Sequence, residues 1–115
     1  MTRFITARVD MQEEVRLLNK AKIIYRFLLF VAKNQYNSIQ AEKNIEKICR
    51  KYLKDNIYYD YYLNVVDVFS DPELAIENNV YVTPMLVMSS PLPEAYIAGD
   101  MSDTDNVLKA LRLKD

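Results

Sequence analysis

At 115 residues, half of them hydrophobic, the chain has material for one core, because a domain of this size buries roughly two thirds of its unfolded surface. The 15 basic and 16 acidic residues nearly cancel, so no long-range field steers the chain toward polyanions and nucleic acid is not an expected partner. A single glycine, a single cysteine and no histidine exclude glycine-rich phosphate loops, thiolate zinc sites, internal disulfides and His-based catalysis, which leaves no metal or cofactor to expect and a reducing cytoplasm as the natural compartment.

The opening Met1-Thr2-Arg3-Phe4-Ile5 lacks the continuous apolar segment of a secretory signal. Residues 1–21 read as an N-terminal extension, in which Met11, Val15 and Leu18 recur at helical spacing and Asp10 stands three before Glu13 in a cap-like arrangement, so a short amphipathic helix is expected over 8–20. Residues 22–115 read as one domain. Lys22 to Ala32 is apolar, β-branched and aromatic apart from Lys22 and Arg26, the pattern of a central strand buried on both faces, and far shorter than the roughly 20 residues that span a bilayer. No membrane association is expected.

After the polar link Lys33 to Asn37, either Asn37 or Ser38 is placed to cap a helix with Ile39, Ile45, Ile48, Cys49 and Tyr52 on one side and Glu42, Lys43, Glu46, Lys47 and Arg50 mostly on the other. Asp55-Asn56 breaks that pattern, and Ile57 to Phe69 returns to strand chemistry. Ser70-Asp71-Pro72-Glu73 predicts a short helix capped by Ser70 and ending near Asn78. Thr83-Pro84, the run Met85–Met88, the turn Pro91-Leu92-Pro93 and the run Ala95–Ala98 predict an antiparallel hairpin, and Ser102 with Asp105 opens a last helix whose Val107, Leu108 and Leu111 make one face. The expected α/β order is βαβαββα behind an extra helix, which is thioredoxin topology.

In redox proteins of that topology a Cys-x-x-Cys pair begins the first helix, where the helix N-terminus lowers the pKa of the attacking thiol. Here that place reads Asn34-Gln35-Tyr36-Asn37-Ser38, and Cys49 falls well inside the helix on its apolar side, as an inert core residue would. Thr83-Pro84 precedes a strand as the cis-proline of that fold does, and is the candidate structural cis bond. Tyr58, Tyr59, Tyr61 and Tyr62 offer contact area, although alternate members must face opposite sides of a strand.

The ordered set Tyr25-Arg26-Phe27-Leu28-Leu29-Phe30-Val31-Ala32, Asn64-Val65-Val66-Asp67-Val68, Asp71-Pro72-Glu73-Leu74-Ala75, Thr83-Pro84-Met85-Leu86, Pro91-Leu92-Pro93 and Gly99-Asp100-Met101-Ser102 resembles the KaiB family over roughly residues 22–113. The chain departs from that pattern at Lys33 and Tyr36, where the family usually has glycine and proline, and at Ala95 and Tyr96, where it has a basic pair. The resemblance implies a non-enzymatic regulator that binds a KaiC-type hexameric ATPase in circadian timing or related stress regulation, with a KaiA-like protein or a histidine kinase as further partners. It also implies metamorphosis, in which one chain populates a tetrameric ground-state fold and a monomeric thioredoxin-like fold, with a dimer or tetramer as the expected homo-oligomer.

On that reading the partner surface is expected on the exposed side of the first helix and the adjoining tyrosine strand, at Lys43, Lys47 and Tyr61. Ala110 and Arg112 stand where many family members carry glycine and aspartate, and are expected to favour the thioredoxin-like form by strengthening the last helix. The second expectation is a sensory or adaptor domain of a signalling system, of the kind found at the front of clock-associated histidine kinases. A thioredoxin-like redox protein would need a second thiol, and an oligonucleotide binder using the tyrosine strand would show salt-dependent binding that the near-neutral charge does not encourage.

Overall fold

The apolar run read as the central strand forms β1 (Ile23–Val31) in a computed structural model that describes residues 22–114. The helix expected over 8–20 lies outside the described residues. β1 sits inside a four-stranded sheet of order β2-β1-β3-β4, with β2 at Tyr59–Asp67, β3 at Met85–Ser90 and β4 at Ala95–Ala98. It pairs parallel with β2 and antiparallel with β3, and β3 pairs antiparallel with β4. Burial on both faces holds only for the second half of β1: Leu29, Phe30 and Val31 are buried, whereas Ile23, Ile24 and Arg26 are exposed.

Three helices decide that difference. α1 (Tyr36–Tyr52) is rich in the straight-chain formers Gln, Glu and Lys and ends on Arg50 and Lys51, which suit the negative end of the helix dipole. Its Ala41, Ile45, Ile48 and Cys49 pack with Tyr25, Phe27, Leu29 and Val31, the residues that alternation puts on one face of β1, and α3 (Thr104–Ala110) adds Val107 and Leu108 to the same cluster. On the opposite face α2 (Pro72–Glu77) covers less, and a smaller cluster joins Ala75 and Val80 to Phe30 and Val87. The order is the expected βαβαββα.

Each expected helix cap is displaced by the chain's own chemistry. α1 starts one residue before Asn37, with Gln35 as a cap that makes no side-chain bond; Ser38 is buried in the first turn, where its Oγ accepts the Ala32 N–H at 3.0 Å. Asp71 rather than Ser70 caps α2, accepting the Leu74 N–H at 3.2 Å, because Pro72 prefers the first helical position and so makes its predecessor the cap. Asp103 rather than Ser102 caps α3, accepting the Asn106 N–H at 3.2 Å, since the Ser102 N–H is still held in a turn by the Asp100 carboxylate at 2.9 Å. Ile39, expected on the packed side of α1, is 41% exposed: it stands beside Val65 of the edge strand β2, where the sheet ends.

Candidate functional site

The loop after β1, the loop after β2 and the segment before β3 meet at one end of the sheet. The first loop turns at Asn34, whose φ of 71° lies in the left-handed region that Asn tolerates. Its shape is held by the Gln35 N–H donating to the Ala32 carbonyl at 3.0 Å and by the Ser38 hydroxyl on the Ala32 N–H. The second loop is built by Asp67, whose carboxylate accepts the Phe69 N–H at 3.1 Å and the Ser70 hydroxyl at 3.1 Å. The Phe69 N–H, then the Ser70 hydroxyl, hold the Asp67 carboxyl below the usual carboxylate range. This Asx turn carries Phe69 out into solvent.

The third segment contains Thr83-Pro84, whose peptide bond is cis, as are Ser90-Pro91 and Leu92-Pro93. Pro84 is buried, and its carbonyl accepts the Gly99 N–H at 3.0 Å, which ties the segment to the end of β4. A shallow groove runs between Thr83-Pro84 and the residues Gln35, Tyr36 and Ser38, with Phe69 on its rim. A second, more apolar groove continues past Phe69 along Ile76, Tyr81 and Val82 over the buried Ala75 and Val80. Phe69 is 74% exposed and Tyr81 80%, and Tyr36, Ile76 and Val82 are exposed beside them. Large apolar side chains are thus held in solvent along two adjoining grooves, apolar surface of the kind that contact with another macromolecule would bury.

The position of a redox thiol pair is thus occupied by an amide, a phenol and a buried hydroxyl. Cys49 lies deep in α1; burial, and secondarily the Glu46 charge, push its thiol up to about 12, the reverse of an activated nucleophile. Among the described residues no cluster of His, Cys, Asp or Glu could hold a metal ion, and no helix is long and apolar enough to cross a membrane.

The residues singled out in the sequence fall in four places. Thr83 and Pro84 line the groove. Lys43 and Lys47 are exposed on α1, Lys47 beside Asn44, Lys51 and Thr104. Tyr61 is half-buried on β2, lines a different groove with Glu46 and Arg50, and has its phenol pushed up by burial, so the structure does not bring Lys47 and Tyr61 to one groove. Ala110 is the last residue of α3, but Arg112, expected inside that helix, lies beyond its Leu111 cap at a φ of 61° and donates to the Pro91 carbonyl at 2.7 Å. Phe69, Tyr81 and Val82 were not singled out; the available signal was Val80-Tyr81-Val82, an apolar triplet stranded between Asn79 and Thr83-Pro84, too short for an element of its own.

A family model described as the KaiB domain matches residues 28–113. The circadian clock oscillator protein KaiB of Nostoc sp. is 38% identical over 96 residues, 84% of this chain and 85% of that protein. KaiB of Synechococcus elongatus is 39% identical over 89 residues, 77% of this chain and 83% of that protein. Among solved structures, the N-terminal domain of Synechococcus elongatus SasA superposes with a TM-score of 0.62 at 21% identity, over 81% of this chain and 88% of that one. Mitochondrial thioredoxin 3 from Saccharomyces cerevisiae gives 0.60 at 16% identity, over 90% of each chain. The fold is therefore thioredoxin-like.

Proposed function

The chain belongs to the KaiB family, and from that premise we propose that it is a timing regulator that works by docking on a KaiC-type hexameric ATPase. It would act in circadian timing or related stress regulation. The observation that carries this reading is the replacement of the thiol pair at the helix start by Gln35, Tyr36 and Ser38, in a groove that has exposed Phe69 on its rim and adjoins a second groove lined by exposed Tyr81 and Val82. A groove with that lining has contact area to offer a protein and no thiol to offer a disulfide substrate.

Co-purification against the KaiC-type ATPase of the same cell, with and without nucleotide, tests it. Retention is expected, and Phe69→Ala with Tyr81→Ala is expected to weaken it at least about tenfold, as loss of buried aromatic anchors does. The outer ridge of α1 is the second contact surface in this proposal: charge reversal at Lys43 and Lys47, with Tyr61→Ala as a separate variant, measures its share. No retention under either nucleotide condition would remove the ATPase from the reading. A KaiA-like protein and a histidine kinase are the further partners to screen. The alternative role, a sensory or adaptor domain, has less support: the chain spans 85% of the length of the Nostoc KaiB, while its likeness to the SasA domain, at 21% identity, is one of fold.

A further inference from the structure

The near-zero net charge conceals a division along the chain. From Asp55 to Leu108 every charged residue is acidic, whereas from Lys22 to Lys54 the acids are Glu42 and Glu46 among many lysines and arginines. The groove along Phe69, Ile76, Tyr81 and Val82 has an uncharged lining drawn, Ala32 apart, from the acidic half. Carboxylates border it. Pro72, Ala75 and Ile76 are the side of α2 that lines the groove, and helical spacing puts Glu73 and Glu77, both exposed and one turn apart, on the flank next to Ile76. Asp71 stands exposed at the start of the same helix. Among the described residues, ion pairs lie on α1 and at α3, and none on α2. Lys33, the cation of the loop after β1, opens on a different groove with Asp67 and Ser70.

Given that the two grooves are a docking surface, the reading on which this rests, we propose that the apolar one takes a cationic segment of the partner protein, with large apolar side chains flanked by lysine or arginine. Three features agree on the sign. An apolar cleft bordered by charge of one sign concentrates that field and raises the encounter rate of the opposite charge. The exposed rings of Phe69 and Tyr81 present faces to which a cation is attracted. A lysine or arginine lays its hydrocarbon stem on an apolar floor such as Ala75 and Val80 and carries its head to the rim, where Glu73 and Glu77 stand. Anionic surfaces, lipid or nucleic acid, are repelled by the same rim. A second copy fits less well, because α1, which holds the chain's basic ridge, has its apolar stripe from Ala41 to Cys49 buried against β1.

Selection from a random peptide-display library on the full chain tests this, with counter-selection on a variant carrying Phe69→Ala and Tyr81→Ala. The expected winners hold aromatic or large aliphatic residues beside lysine or arginine and are net positive. Their affinity, read by fluorescence polarisation, is expected to fall about fivefold at low salt when Glu73→Lys is combined with Glu77→Lys, and to fall in the parent as salt rises. Glu73→Gln with Glu77→Gln, a milder change to the helix, is expected to give part of that loss. Glu94→Lys, beyond the other end of β3, is expected to give none. Urea titration confirms that each variant is folded. Neutral or acidic winners, no winners that depend on Phe69 and Tyr81, or affinities unmoved by the changes at Glu73 and Glu77 would each overturn the assignment. So would a dimer of the parent that the charge reversal abolishes, which would seat a second copy in the groove. The ATPase reading fails separately: cationic winners without retention on the KaiC-type ATPase remove the ATPase and leave the groove's selectivity standing. Retention unmoved by the reversal, with no cationic winners, does the opposite.

Discussion

Ser38→Ala deletes the hydroxyl that takes the Ala32 N–H, and because Ser38 is buried no water replaces it. The expected cost is about 1–3 kcal/mol, the desolvation penalty of an orphaned amide, read as a lower urea midpoint at unchanged slope. Cys49 carries the second prediction at this scale. Burial pushes its folded pKa up from the ordinary thiol value near 9 to about 12, so between these values the unfolded chain loses a proton that the folded chain keeps. Its contribution to stability is therefore full below pH 9 and declines at about 1.4 kcal/mol per pH unit as pH rises toward 12; Cys49→Ser should flatten that part of the stability–pH curve. The same protonated, enclosed sulfur predicts no insulin-disulfide reduction at neutral pH. Reduction that disappears in Cys49→Ser would restore the redox reading.

At the scale of elements, Asp103→Ala is expected to cost about 1 kcal/mol, since it frees the Asn106 N–H at the start of α3, whereas Ser102→Ala should change little. Thermal denaturation of the two variants distinguishes the caps. That pair also shows where sequence reasoning succeeded and stopped. β1, the β3–β4 hairpin and all three helices in the described residues were legible because apolar period and turn residues are local properties. The caps were not, because Ser70-Asp71 and Ser102-Asp103 each place two acceptors side by side and the choice depends on which backbone amide the turn leaves free. Tyr59, Tyr61 and Leu63 pack inward while Tyr58 and Tyr62 stay out, as strand alternation required. The site was half legible. Thr83-Pro84 announced itself by motif, but the exposure of Phe69 and Tyr81 depends on how two loops meet, and the separation of Tyr61 from Lys47 depends on which side of α1 faces the edge strand.

For the whole molecule, the open question is which packing the sequence prefers, given that KaiB resemblance implies a second, tetrameric fold. The closing segment bears on it directly: the Tyr25 hydroxyl donates to the Leu111 carbonyl at 3.2 Å, so the end of α3 is tied to β1 in the thioredoxin-like arrangement. Ala110 is helical there, and Ala110→Gly removes up to about 1 kcal/mol from that arrangement. Arg112 acts differently from its sequence reading, because it is not in the helix. At a φ of 61° an arginine pays about 1–2 kcal/mol that glycine would not. Against this stands its bond to the Pro91 carbonyl at 2.7 Å, in an exposed setting where such a bond contributes about 0.5–1.5 kcal/mol. The two effects nearly cancel, so Arg112→Gly is expected to leave stability within about 1 kcal/mol of the parent, and the fold preference rests on Ala110. The thioredoxin-like monomer is accordingly the expected resting form in dilute solution, and Ala110→Gly is expected to raise the tetramer-to-monomer ratio, by a factor of up to about five for each of the protomers that assemble, while Arg112→Gly does not. Sedimentation velocity with far-ultraviolet circular dichroism on the three proteins reads both quantities. A tetrameric parent whose populations Ala110→Gly leaves unmoved would show that the closing helix does not set the balance.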